Sequence, residues 1–248
     1  MRAVDAASPD VIVNCAAFNL VDAAEEEPAA ALAVNALAVR SLARAADACG
    51  ATLIHYGTDF VFDGHTAHPY TEQDVPAPRS VYAASKLLGE WFALDAPRAF
   101  VLRVESLFGE PPGWAGRPGT LDGIVGQIER GETVPVFTDR IVSPSYALDV
   151  AAATRHLIDG GASPGLYHCV NSGHASWAEV ARTCAQLLGL PARLQPMTLQ
   201  SHPMPATRPR FCALSNAKLA EAGFAMPTWS DALQRWLSRR GAQPGTVQ

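Results

Sequence analysis

The sequence has no large excess of one sign of charge. Its 248 residues carry 19 Lys and Arg against 24 Asp and Glu, which gives a net charge of -5. This balance provides no bulk attraction to nucleic acid or to an anionic membrane. Hydrophobic residues make up 48% of the chain, enough to bury the core of one large domain or two small ones. We therefore expect a globular protein with neither a nucleic-acid nor a membrane partner.

The sequence also lacks the cysteine and histidine spacings of a metal site. Its five cysteines form no CxxC pair, and we interpret them as buried free thiols in a reducing compartment. The seven histidines show no ligand spacing, so we predict no metal. No apolar run approaches the ~20 residues needed to cross a bilayer. The opening MRAVDAASPD has no apolar core of a signal peptide. These absences favour a cytoplasmic protein.

Short β-branched runs alternate with Ala- and Leu-rich segments of helical spacing as far as residue 170. The predicted strands are 11–13, 52–56, 99–104, 134–136 and 166–170, and the predicted helices are 24–49, 80–95, 120–130 and 147–158. Gly50 and Gly131 directly follow two of these helices, where glycine commonly ends a helix. Such alternation is typical of a parallel sheet with helices on both faces.

Helices dominate the rest of the chain, at about 176–189, 215–222 and 229–239, with Pro-rich loops over 191–210. The sequence therefore predicts an α/β protein with a Rossmann-like, doubly wound parallel sheet. Residues 1–170 are expected to form this dinucleotide-type domain. Residues 171–248 are expected to form a smaller, mostly helical substrate domain, interleaved with the first around 120–170.

Tyr82 and Lys86 lie four residues apart on a predicted helix, and therefore on one of its faces. An ammonium beside a phenol stabilises the phenolate and lowers a pKa that starts near ~10. A tyrosine tuned in this way can exchange a proton with a reacting carbonyl or alcohol. Taken alone, the spacing is better explained by an amphipathic helix with a packed tyrosine and a solvated lysine.

Two predicted strands end in residues suited to binding a ligand. Thr58 and Asp59 follow one strand, and 14–17, Asn-Cys-Ala-Ala, follow another. Ligands of open α/β sheets bind outside the carboxyl ends of strands. The Thr58 hydroxyl could bind a substrate oxygen there, and the small residues would let a cofactor approach the backbone. A simple turn or helix cap remains an alternative for Thr58 and Asp59.

These motifs belong to an ordered set that covers nearly the whole chain. The set comprises 9–18, 21–28, 34–36, 58–64, 69–70, 81–86, 89–90, 102–103, 143–149, 167–168, 176–177, 208–209 and 215–219. In this order they resemble the dTDP-4-dehydrorhamnose reductase family, in the sugar-nucleotide branch of the extended short-chain dehydrogenases/reductases.

The resemblance implies reduction of the 4-keto group of a dTDP-4-keto-6-deoxysugar by NADPH, or by NADH. Tyr82 would donate the proton, Lys86 would hold the nicotinamide ribose, Thr58 would bind the ketone oxygen, and Asp59 would line the sugar site. The residues implied to contact the cofactor are Asn14, Cys15, Ala16, Ala17, Tyr82 and Lys86. Arg208 could pair with the substrate pyrophosphate, or be a surface charge beside prolines. The resemblance also allows a homodimer.

The main departure from the family is that no G-x-G-x-x-G segment occurs anywhere in the sequence. In the family this turn follows the first strand and binds the cofactor pyrophosphate. We therefore expect that the first βαβ unit is missing, through a start codon assigned too far downstream or through a real truncation. Without it, residues 11–13 would expose an apolar flank.

Smaller departures concern the sugar site. The family usually has Ser at 57 and Tyr at 60, where this chain has Gly57 and Phe60. It often has Thr-Ser-Trp where this chain has Val-Glu-Ser at 104–106. Loss of the tryptophan opens the pocket, and Glu105 brings in a carboxylate whose pKa burial would raise. Glu105 could instead point to solvent.

Two alternatives remain open. The chain also resembles the regulatory subunit of methionine adenosyltransferase, in which this fold serves a partner protein, and an impaired cofactor site would fit that alternative. A sugar-nucleotide epimerase or dehydratase is ranked lower. A dehydratase needs an acidic pair beside Thr58, and Phe60 occupies the second place.

Overall fold

The computed structural model describes residues 2–109 and 119–241. Its elements, in chain order, are α1 (Arg2–Ala7), β1 (Val11–Asn14), α2 (Ala23–Glu26), α3 (Pro28–Leu32), a π-helical turn (Ala33–Leu37), α4 (Ala38–Cys49), β2 (Thr52–Thr58), a 3-10 turn (Asp59–Val61), α5 (Val81–Leu94), β3 (Ala99–Val104), β4 (Leu107–Phe108), α6 (Thr120–Glu129), β5 (Thr133–Phe137), β6 (Ile141–Val142), β7 (Ser145–Tyr146), α7 (Ala147–Asp159), β8 (Gly165–His168), β9 (Ala175–Ser176), α8 (Trp177–Leu188), β10 (Arg193–Met197), α9 (Ala217–Glu221) and α10 (Trp229–Gly241).

The main sheet has four parallel strands in the order β1-β2-β3-β8. Successive side chains of a strand point to opposite faces. Leu53 accordingly packs with α4 and α5 on one face, while Ile54 packs with α7 and α9 on the other. Helices therefore cover both faces, and the predicted doubly wound α/β fold is confirmed.

Strand β1 is the outer strand of this sheet within the described residues. Its Val13 side chain is 47% exposed. Of the apolar flank predicted for residues 11–13, only Val13 is exposed, because Val11 and Ile12 are partly buried against the cores on the two faces of the sheet.

A second core lies beside the main sheet and draws on residues from Phe108 to Leu237, with α6, α8 and α10 around the β5–β10 pair. The sequence predicted only loops over 191–210, and this was wrong, because β10 pairs in parallel with β5. Each strand carries a proline, with Pro135 opposite Gln195 and Pro196 opposite Val136. Prolines fit there because both members of a two-stranded sheet are edge strands. The domain boundary at 170 stays a prediction.

The helical run Pro28–Cys49 is 22 residues long and apolar enough by composition to cross a membrane, which the sequence analysis did not expect. It nevertheless contacts α5, and its Asn35 is buried and bonded to Ser85 and to the backbone of Phe18. These contacts are typical of a core helix in an α/β protein. Two thiols also differ from expectation, since Cys15 and Cys49 are exposed while the other three are buried.

Candidate active site

A cleft of about 570 Å³ opens at the carboxyl ends of β1, β2 and β3. Parallel strands end at the same edge of their sheet, so residues far apart in sequence meet there. The cleft is lined by every residue that the sequence placed at the site: Asn14, Cys15, Ala16, Ala17, Thr58, Asp59, Tyr82, Lys86, Glu105 and Arg208.

Helix α5 carries Tyr82 and Lys86 into the cleft. Its start is fixed by Ser80, whose hydroxyl accepts a hydrogen bond from the Ala83 amide at 3.2 Å. Burial raises the pKa of Tyr82 to about 12, although the nearby Thr58 hydroxyl acts to lower it. The predicted lowering by Lys86 is therefore wrong for this structure. The Lys86 ammonium instead donates to the Tyr56 carbonyl at 2.6 Å, and burial lowers its own pKa to about 8.

Thr58 is the last residue of β2 and is buried. Its hydroxyl donates to Asp59 Oδ1 at 3.1 Å and accepts from the Phe60 amide at 3.3 Å. The Phe60 ring packs edge-on against Tyr82, with ring centroids 5.7 Å apart. The turn after β2 thus fixes the hydroxyl and limits the movement of the phenol.

Asn14 shapes the turn after β1. Its Oδ1 accepts from the Ala16 amide at 3.1 Å, and its Nδ2 lies 3.0 Å from Nδ1 of His55. Burial lowers the pKa of His55 to about 3, so this ring stays neutral and its Nδ1 can accept from the amide. The turn therefore presents Cys15 and the small residues after it to the cleft.

Glu105 is buried, with 1% of its surface exposed, so the alternative that it points to solvent is wrong. Its Oε2 accepts from the Ser143 amide at 2.7 Å. Burial and the neighbouring Asp59 both raise the pKa of Glu105. Burial also raises the pKa of Asp59, to about 6, in opposition to the charge of Arg140. Two carboxyl groups therefore share one buried corner of the cleft.

Arg208 reaches the cleft from the C-terminal part of the chain. Its side chain is 11% exposed, so it is not a surface charge. Two of its nitrogens bind the two carboxylate oxygens of Asp22, and Nη1 also donates to the Ala206 carbonyl at 2.7 Å. Arg208 in turn holds the pKa of Asp22 below its usual range. The guanidinium is therefore fixed in place.

Sequence reasoning gave no role to several residues at the site. Arg140 lines the cleft, with its guanidinium 5.2 Å from the centre of the Phe60 ring. Asn35 joins the Phe18 loop to α5, because its Nδ2 donates to Ser85 Oγ at 2.9 Å. A polar residue within an apolar helical run was the available signal for Asn35. No local pattern distinguishes Arg140 from other arginines.

The comparison with protein families agrees with this geometry. The model of the family described as "RmlD substrate binding domain" matches residues 1–241. The chain belongs to the RmlD substrate-binding-domain family.

Several members of this family have sequences and structures similar to the chain. It is 38% identical over 238 residues to the dTDP-4-dehydrorhamnose reductase of Mycolicibacterium smegmatis, covering 92% of this chain and 70% of that protein. It is also 38% identical over 235 residues to the Mycobacterium tuberculosis reductase, covering 90% of this chain and 75% of that one. The Bacillus anthracis reductase, crystallised with NADP, superimposes with a TM-score of 0.89 at 30% identity, covering 96% of this chain and 83% of that one.

The fold extends beyond the family. The UDP-glucose 4-epimerase of Thermus thermophilus, solved with NAD, has a TM-score of 0.80 at 22% identity, covering 98% of this chain and 81% of that one. At this identity the likeness shows the shared fold alone.

Proposed function

We propose that the protein reduces the 4-keto group of a dTDP-4-keto-6-deoxysugar with NADPH. The observation that carries this proposal is the meeting of Thr58, Tyr82 and Lys86 in one cleft at the carboxyl end of the sheet. Relatives named dTDP-4-dehydrorhamnose reductase support the substrate class, and the relative crystallised with NADP supports the cofactor. A cytoplasmic location and a homodimer stay predictions.

The residues at the ends of β1 and α5 fit the nicotinamide end of such a cofactor. Cys15, Ala16 and Ala17 are small and line the cleft, so a ligand can approach the backbone there. Lys86 gives one N–H to the Tyr56 carbonyl, and an ammonium has three, which leaves donors for a ribose hydroxyl. When bound, the cofactor would supply a hydride to the ketone carbon. We assign no residue of this chain to its pyrophosphate.

Tyr82 is the proton donor in this proposal. A phenol whose pKa is raised to about 12 is fully protonated at neutral pH, as a proton donor to a ketone must be. Thr58 binds the ketone oxygen beside it. As negative charge develops on that oxygen, the two hydroxyl groups stabilise it by hydrogen bonding.

The remaining residues of the cleft hold the substrate. Asp59 and Glu105 face the sugar, and Arg208 faces the nucleotide diphosphate. Because Asp22 holds Arg208 in one orientation, its guanidinium needs little ordering when the anion binds. The family often has another residue at position 105, so the carboxylate there makes the identity of the sugar the first part of the proposal to test.

The test is an assay of the 248-residue protein with NADPH or NADH and dTDP-4-dehydrorhamnose, followed by loss of reduced-cofactor absorbance. We expect the variant Y82F to lower kcat by about 10²- to 10⁴-fold, the usual contribution of a general acid. The matched control is Y167F, which removes a buried hydroxyl that donates to the Ser163 carbonyl outside the cleft. It should keep the wild-type kcat.

Calorimetric titration with NADPH separates the outcomes. Cofactor binding at micromolar strength, with turnover that Y82F removes, supports the proposal. Binding with no turnover on any dTDP-4-keto-6-deoxysugar overturns the substrate class. Absence of both binding and turnover overturns the hypothesis that the protein is an enzyme, and it favours the partner-protein alternative.

A further inference from the structure

Three groups that the proposed reaction leaves without a chemical role meet in one buried corner of the cleft. A carboxylate oxygen of Asp59, a carboxylate oxygen of Glu105 and the Sγ of Cys212 all lie within 4.8 Å of one another. All three residues are buried. Among the described residues, Asp59 Oδ2 and Glu105 Oε1 have no hydrogen-bond partner. A buried acceptor without a partner is costly, so this corner needs a positive charge or a proton.

The charges around the corner favour a proton over a metal cation. The guanidinium of Arg140 already lies close enough to act on both carboxyl groups, and it would repel a second cation. Cys212 donates its S–H to the Pro209 carbonyl at 3.4 Å, and burial raises the pKa of this thiol well above its usual value. A protonated thiol is a poor metal ligand. Two carboxyl groups this close, with the charge of one arginine acting on both, are stabilised most simply by a single shared proton.

We propose that Asp59 and Glu105 share one proton, and that this pair returns a proton through Thr58 to Tyr82 after each reduction. The second half of the proposal rests on the proposed function. The first half concerns the resting protein and does not depend on turnover.

The Thr58 hydroxyl is bonded to one end of this route and lies close to the other. The Thr58 hydroxyl lies 3.1 Å from Asp59 Oδ1, and it is close enough to the Tyr82 hydroxyl to act on the pKa of that phenol. A hydroxyl that donates to one group while accepting from another can pass a proton along the chain. Loss of a proton would leave Tyr82 as a buried phenolate. Since burial disfavours that charge, rapid return of a proton is needed before the next turnover.

Each step of the route balances. The bound cofactor would supply the hydride for the C–H bond at the ketone carbon, and the Tyr82 proton forms the O–H bond of the new alcohol. Thr58 then gives its proton to the Tyr82 oxygen and takes one from the Asp59–Glu105 pair. The pair, left as two carboxylates, regains its proton from water in the cleft.

The groups that face the pair come from several elements. Tyr82 lies on α5, Arg140 precedes β6, and Cys212 lies in the segment that pairs with Ile141. Arg140 lowers the pKa of both carboxyl groups, while each carboxylate raises the pKa of the Cys212 thiol. Of these groups, only the pair is expected to titrate near neutral pH.

The resting state is tested by infrared spectroscopy of the purified protein at pH 7. We expect the C=O band of one protonated carboxyl group, and we expect this band to disappear in E105Q. In D59N it should persist at a shifted frequency, because burial still favours a protonated Glu105 that no longer shares its proton. E105Q keeps an oxygen for the Ser143 amide, so the fold is preserved. The control is E132Q, which changes an exposed carboxylate paired with Arg130 and should keep the band. A spectrum without the band, or a stoichiometric divalent cation in the purified protein, would overturn the shared proton.

The return route is tested by the pH dependence of kcat. The wild-type protein should lose kcat as the pair loses its proton, and in E105Q the midpoint of this loss should move to lower pH, because Asp59 then faces the positive charge of Arg140 without a second carboxyl group to share its proton. If Glu105 only binds substrate, E105Q raises KM and leaves the pH midpoint of kcat unchanged, which overturns the route. If the wild-type protein reduces no substrate, the proposed function and the route both fail, while the infrared band still decides the shared proton.

Discussion

At the scale of single residues, a buried ion pair joins strand β3 to helix α5 next to Gly57. Arg103 on β3 and Glu90 on α5 form a buried ion pair, with Nη2 2.8 Å from Oε2. The Arg103 guanidinium also lies 4.9 Å from the centre of the Phe62 ring. Glu90 leaves no room for a side chain at position 57, because a Cβ there would lie 2.5 Å from its Oε1. Gly57, where the family usually has Ser, therefore leaves the space that the Glu90 side chain of this ion pair occupies.

We expect R103M to lower the free energy of unfolding by about 3–5 kcal/mol, because it leaves the buried Glu90 carboxylate without its partner. The double variant E90Q/R103M should lose less free energy of unfolding than R103M, since no unpaired charge remains. Urea denaturation at equal m-values measures both. The matched control is R130M, which breaks the exposed ion pair with Glu132 and should leave stability unchanged. Equal losses in the single and double variants would contradict this account.

At the scale of elements, α5 reaches the cleft by packing its backbone directly on the π-helical turn. Gly89 makes this approach possible, because a Cβ at that position would lie only 2.0 Å from the Asn35 carbonyl oxygen. The wider π turn also presents the Asn35 side chain to Ser85 and to the Phe18 loop. The position of Tyr82 in the cleft therefore depends on a glycine two helical turns away from it.

We expect G89A to lower the free energy of unfolding by about 1–3 kcal/mol, the usual cost of overpacking, and to lower turnover as α5 shifts. The matched control is G123A on α6, where a Cβ meets nothing within 4 Å. Alanine there should instead stabilise the protein by about 0.5–1 kcal/mol, since glycine is a poor helix former. Thermal and urea unfolding of the two variants measure the difference. Stabilisation by G89A would show that the close approach is not required.

At the scale of the whole molecule, buried neutral histidines make stability depend on pH. His168 on β8 accepts from Arg103 through Nε2 at 3.4 Å, so its Nδ1 carries the proton and donates to the Tyr70 carbonyl at 3.1 Å. Burial, followed by the charge of Arg103, lowers its pKa to about 3. The unfolded histidine, with a pKa near ~6.5, binds a proton that the folded one does not. The stabilisation from the neutral His168 is fully present above about pH 6.5 and is lost as the pH falls toward 3.

The variant H168Q isolates this effect from other groups. Between pH 6 and 4, its free energy of unfolding should fall less steeply than that of the wild-type protein, by up to about 1.4 kcal/mol per pH unit. The two proteins are compared at each pH because Asp59 has the opposite effect. Its pKa is raised, so it stabilises the folded state as the pH falls. The control H65Q changes an exposed histidine and should keep the wild-type slope. Parallel curves for H168Q and the wild-type protein would contradict the prediction.

Local pattern was enough to predict most of the main sheet and its helices. The strand at Ala99–Val104 and the ends of α4 at Gly50 and of α5 at Ser80 lie where the sequence placed them. These features depend on side-chain period, helix capping and glycine, which act over a few residues. The pairing of β10 with β5 was missed because it joins segments about sixty residues apart, and its prolines are typical of loops as well as of edge strands.

The sequence by itself determined the α/β order, the spacing of Tyr82 and Lys86 on one helix face, and the strand ends where ligands bind. Only the tertiary structure decided what surrounds these groups. It placed Lys86 on the Tyr56 carbonyl, raised the pKa of Tyr82, and brought Glu105 beside Asp59. The physical reason is that helix and strand periods are local, whereas burial and charge proximity depend on contacts between residues far apart in the chain.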